Sequence, residues 1–164
     1  MKQLLLLLTA FTVFSNYSNG QRQSPHDTVT YANGNVTYGR PYKKDRQIFG
    51  GLEKFGSVWR VGADEATTIT FNSDTKFGGQ AVPKGTYSMF VLPNENEWLI
   101  ILNSQLGQWG AFSYQENRDK DVAGVKIPVK KLANTVEQLT IRFDKDNNMI
   151  IEWDDTQVAV PISF

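Results

Sequence analysis

The chain has 164 residues, of which 40% are hydrophobic and 12% aromatic, enough to build one continuous core. Its 17 basic residues balance 17 acidic ones with no block of like charge, so the charge pattern points to neither nucleic acid nor an anionic membrane surface. The complete lack of cysteine excludes thiol chemistry, a disulfide framework and a cysteine-linked lipid anchor.

The opening segment, MKQLLLLLTAFTVFSNYSNGQRQ, carries one positive residue, Lys2, then an apolar run from Leu4 to Phe14, then small and polar residues. This is the layout of a secretory signal peptide. The run falls well short of the roughly 18 residues that span a bilayer. Ser18 and Gly20 take the two small positions before a cut at Gln21. Residues 1–20 are therefore expected to be removed and residues 21–164 to form a single exported domain, periplasmic or extracellular, with no membrane span. Export without disulfides suits a bacterial envelope, so the sequon-like NYS and NVT carry no weight.

The remaining chain reads as short strands. In NVTYGRP, Val36 and Tyr38 face one way and Thr37 and Gly39 the other; TITF repeats the alternation with Ile69 and Phe71. DRQIFGGL is the best short helical candidate, over Gln47 to Leu52, ended by Gly50 and Gly51. The turn signals PKG and PNEN bracket strands at Tyr87 to Leu92 and Trp98 to Leu102, both apolar on two faces, which suits central strands covered on each side. Ser104 to Asp121 is the longest irregular stretch, where function on a β scaffold often sits. EQLTIRFDKDNNMIIEWDD forms a hairpin pattern, with Leu139, Ile141 and Phe143 answered by Met149, Ile151 and Trp153. In the closing QVAVPISF, Pro161 marks an edge or a bulge.

About nine or ten strands, with no internal repeat and at most one short helix, predict an all-β fold: an antiparallel β-sandwich of jelly-roll or immunoglobulin-like kind.

The segments SPHDTV, VTYGRPYKKDRQIFGGL, VWRVGADEATTITF, VPKGTYSMFVLP, EWLIILN, QWGAF and IPVKKL also have an order and spacing that resembles a family of exported bacterial proteins called domain of unknown function 2911. The resemblance covers nearly all of the chain from about Ser24 onward. It implies one β-rich exported domain and transfers no chemistry. Val61 is a small departure, because a hydroxyl residue is more usual after WR in that family; a hydrogen bond open to relatives is missing here.

VWRVGADEATTITF concentrates the candidate site. Along an extended SVWRV, Trp59 and Arg60 point to opposite faces, so only one of them enters the core. Asp64 and Glu65 diverge if the chain is extended there, and adjacent carboxylates make a poor glycosidase pair. Arg60 either pairs with a carboxylate such as Asp64 to pin the strand entry, or meets a ligand. Arg40 stands before Pro41, where it could share an anionic ligand with Arg60 or lie over a tyrosine ring. His26 is the only histidine, which leaves no multi-imidazole metal site. In SPHD it cannot form a nucleophile, base and orienter with its own sequence neighbours. Trp109, between glycines, could stack on a sugar or peptide or cap the sandwich. DKDNN lacks the spacing of a calcium loop, and Lys130 and Lys131 read as edge-guarding charges.

The expected function is a non-catalytic binding module for a glycan, peptide or carboxylate-bearing ligand, using Arg40, Arg60, Asp64, Glu65, Trp109 and His26, with no metal or cofactor. One alternative is a metal-independent hydrolase built on His26 or the Asp64 and Glu65 carboxylates. The other is a structural envelope protein. No nucleophile motif is visible, which leans against an enzyme.

Overall fold

The computed structural model describes residues 24–164. The segment read as a signal peptide lies outside the described residues. Ten strands follow in order: β1 His26–Tyr31, β2 Gly34–Gly39, β3 Thr68–Phe71, β4 Thr75–Phe77, β5 Gln80–Val82, β6 Gly85–Leu92, β7 Glu97–Asn103, β8 Asp121–Pro128, β9 Lys130–Phe143 and β10 Asn148–Ser163. They form an all-β sandwich of two antiparallel sheets, a six-stranded one in the order β1-β2-β3-β6-β7-β8 and a four-stranded one in the order β5-β4-β10-β9.

Alternation explains the packing. Val36, Ile69, Met89 and Ile100 of the larger sheet and Leu139, Ile141, Ile151 and Val160 of the smaller one are fully or almost fully buried in one shared core. At one end, Trp59, Trp98, Trp153 and Phe49 gather, with Trp59 stacked on Trp153 at 6.1 Å and 22°. Such pairs contribute about 0.5–1.5 kcal/mol each beyond the area they bury.

Strands β6 and β7 are apolar on both faces because the larger sheet is covered on its outer side too. There Phe90 and Ile101 pack with Ala66 and Tyr114, the last carried by the long loop. That loop also contains the short helix of the fold, a 3-10 turn at Gln115–Lys120. The helix expected over Gln47 to Leu52 is absent. Ile48 and Phe49 are adjacent and both buried, and Gly50 takes φ 83, so the chain makes a tight turn closed by Leu52 N–H to Gln47 O and Glu53 N–H to Ile48 O.

The closing QVAVPISF is continuous with the returning arm of the hairpin. Asp154 takes φ 56 within a bulge against β9, which lets one long strand bend and run on. Pro161 sits where β10 has left its pairing with β9 at Gln157 and approaches β4 at Ile162. Lys130 and Lys131 lie exposed on β9, an edge strand.

Candidate functional site

The segment from Trp59 to Thr67 leaves β6 and crosses the top of β2. Trp59 exchanges two backbone hydrogen bonds of 2.8 Å with Val91 and drives its ring into the core. Arg60 emerges toward a cleft. The chain then turns through two left-handed residues, Val61 at φ 60 and Asp64 at φ 66. A buried β-branched residue in that region is strained. The turn is closed by the Thr67 hydroxyl donating to Val61 O at 2.9 Å and by Thr67 N–H to Arg60 O at 3.1 Å. Gly39 makes the crossing possible, since a Cβ there would stand 2.2 Å from Ala63 O. On the far side, Gly110 N–H donates to Asp64 O and Ala66 N–H to Gln108 O, each at 2.9 Å, so the Trp109 segment is laced to the Asp64–Ala66 segment.

The left-handed Asp64 changes the expected geometry. Asp64 and Glu65 do not diverge: Asp64 Oδ2 and Glu65 Oε2 approach the same atom, His26 Nε2, at 3.5 and 3.4 Å. Asp64 Oδ2 also accepts the Ser24 N–H at 3.2 Å. These are ion-pair separations, longer than a good hydrogen bond.

Two clefts flank this cluster. The larger, of about 530 Å3, is lined by Tyr42, Lys44, Arg46, Glu53, Arg60 and Asp64 among others. The smaller, of about 250 Å3, holds His26, Tyr38, Glu65 and Gln108. Small-molecule pockets run from roughly 300 to 1,000 Å3, so the larger cleft has ligand dimensions and the smaller does not reach them.

The six sequence candidates therefore separate. Arg60 and Asp64 line the larger cleft, His26 and Glu65 the smaller, and Arg40 and Trp109 line neither. Arg40 donates to Asp27 Oδ2 at 3.1 Å, to Leu139 O at 3.2 Å and to the Thr140 hydroxyl at 3.2 Å, and sits 5.9 Å from the Tyr38 ring centroid. Its donors tie β1 and β2 to β9. Trp109 is 40% exposed. Among the described residues Arg60 makes no ion pair with Asp64, and its buried Nε has no hydrogen-bond acceptor. No set of three or more His, Asp or Glu among the described residues is placed to hold a metal ion.

The sequence reading passed over Glu53. Burial pushes its carboxyl up to about 7 against the pull of Arg60 and Arg46 in the same cleft. In QIFGGLEKFG the paired glycines mark a turn able to fold an acid inward, and that is the one local signal for it.

A model of a protein family of unknown function, DUF2911, matches residues 21–162. The chain belongs to that family. Neither a curated protein nor a solved structure matches it. Nothing in the family's description assigns a reaction, so the DUF2911 site has to be read from its own side chains. Among the described residues no helix is long and apolar enough to cross a membrane.

Proposed function

We propose that this DUF2911 protein is an exported, non-catalytic binding module that takes a small carboxylate-bearing ligand in the Arg60 cleft. The observation that carries the reading is Arg60 itself, a guanidinium on a ligand-sized cleft whose buried Nε has no hydrogen-bond acceptor and which forms no salt bridge among the described residues. Arginine's planar fork matches a carboxylate with two parallel donors. Lys44 and Arg46 add positive charge on the same wall, and Tyr42 and Leu52, both more than 40% exposed, offer apolar surface for the body of a ligand. Export rests on the leader-like opening segment.

A thermal-shift and NMR screen of aromatic and aliphatic carboxylates against the chain from residue 21 onward tests the reading. Binding that shifts Arg60 side-chain signals and disappears in Arg60→Gln supports it. A panel with no binder, or binding unchanged in Arg60→Gln, would overturn it. Intact mass of the protein recovered from a secreting host checks export, with Gln21 the expected first residue.

A second reading has its own observation, the His26 imidazole set against two carboxylates at the rim of the smaller cleft. An imidazole held this way can move a proton. Ester or peptide turnover lost in His26→Ala would favour the hydrolase over the binding module.

A further inference from the structure

We propose that Glu53 is a second ligand-binding group of the Arg60 cleft, acting as a protonated acid that donates a hydrogen bond to the ligand's carboxylate, so that binding takes up a proton. This rests on the carboxylate-binding reading of the same cleft.

Glu53 and Arg60 line one cleft with opposite formal charges, yet no ion pair joins them and the Glu53 carboxyl takes no hydrogen bond from any described residue. The two side chains therefore offer a donor fork and an acid to the same cleft. A ligand carboxylate would meet both in one protonation state: two oxygens toward the guanidinium, with one of them also accepting the Glu53 O–H. An ionised Glu53 would instead face the ligand as a like charge. The backbone holds Glu53 in place through N–H to Ile48 O at 2.9 Å and by accepting the Gly50 N–H at 2.9 Å.

The charged and titratable groups around Glu53 are Arg60, Arg46, Lys44, Asp64 and Tyr42. Arg46 is fixed by donating to Lys43 O and Tyr42 O at 2.8 and 2.6 Å, so its charge stays on the wall. Burial outweighs both arginines and holds Glu53 near 7, where a proton is available at neutral pH.

Benzoate and its neutral isostere benzamide are the probes, titrated by NMR between pH 6 and 9, above benzoate's own ionisation. Benzoate affinity should be flat below about pH 7 and fall about tenfold per unit above it. Calorimetry in buffers of different ionisation enthalpy should show close to one proton taken up per benzoate at high pH. Glu53→Gln, which keeps a donor but cannot titrate, should bind benzoate with no pH dependence and no proton uptake. Arg60-dependent benzoate binding without pH dependence in the native protein would overturn the Glu53 proposal and leave the binding reading standing. No benzoate binding at any pH overturns both. Benzamide binding that strengthens as pH rises would show Glu53 working as an acceptor and would also overturn the proposal.

Discussion

The Tyr38 hydroxyl accepts the Ile141 N–H at 2.9 Å and lies 3.5 Å from the Ile141 carbonyl, so one phenol on β2 meets both backbone groups of a residue on β9. The two strands belong to different sheets, and Tyr38 is only 2% exposed. Tyr38→Phe keeps the ring but leaves the buried Ile141 N–H without its acceptor. A loss of about 1–3 kcal/mol in urea unfolding is expected, with little change in the slope. A loss below about 0.5 kcal/mol would mean that water replaces the phenol without cost.

Arg60 and Asp64 should be thermodynamically independent. With no salt bridge joining them among the described residues, Arg60→Ala should cost no more than about 1 kcal/mol, and its combination with Asp64→Asn should be additive to within about 0.5 kcal/mol. Asparagine is the better test at position 64 because it tolerates the left-handed backbone that alanine would strain. A coupling energy above about 1 kcal/mol would restore the direct pair that the spacing in WRVGAD suggests.

The core is legible in the sequence, and the convergence of the site residues is not. Period-two alternation placed Val36, Ile69, Ile141 and Ile151 in the core, because one face of each strand is apolar. The two-faced apolar strands β6 and β7 were legible from their unbroken apolar runs, which need cover on both sides. The convergence of Asp64 and Glu65 on His26 was not, because it depends on a left-handed aspartate and on β1 bringing His26 across about 40 residues of sequence. Arg40 looked available because its partners, Leu139 and Thr140, lie about 100 positions away. Glu53 was hard to see because its burial belongs to the folded cleft, and the paired glycines before it are the one local signal.

Stability should carry a Glu53 signature in its pH dependence. The folded carboxyl sits near 7 against an ordinary 4.5, so between those values the native state holds a proton that the unfolded chain has released. The Glu53 contribution to stability is therefore greatest below about pH 4.5, declines as pH rises toward 7 and is level above it. Burial is partial, so solvent screening limits the decline to on the order of 1–2 kcal/mol. Subtracting the Glu53→Gln curve cancels the other titrations and isolates it. A difference curve that is flat from pH 4.5 to 8 would mean that Glu53 is ionised normally in the folded cleft.

The long loop hangs on Asn103, and the loop supplies Gly107 and Gln108 to the smaller cleft. Asn103 is fully buried; its amide donates to Asn117 O at 2.8 Å and Asp121 Oδ1 at 2.7 Å, and its carbonyl oxygen accepts the Gln105 N–H at 2.9 Å. Asn103→Ala strands several of these groups at about 1–3 kcal/mol each, less whatever water recovers. Because the bonds span the two ends of one loop, the loss should be local before it is global. Hydrogen exchange reads this directly: the Gly110 and Ala66 amides, which bind Asp64 O and Gln108 O, should exchange much faster in Asn103→Ala, while the Ile141 and Ile151 amides slow or speed only with global stability. A uniform acceleration across β9, β10 and the loop would show that Asn103 supports the whole sandwich and gives the Asp64 segment no separate hold.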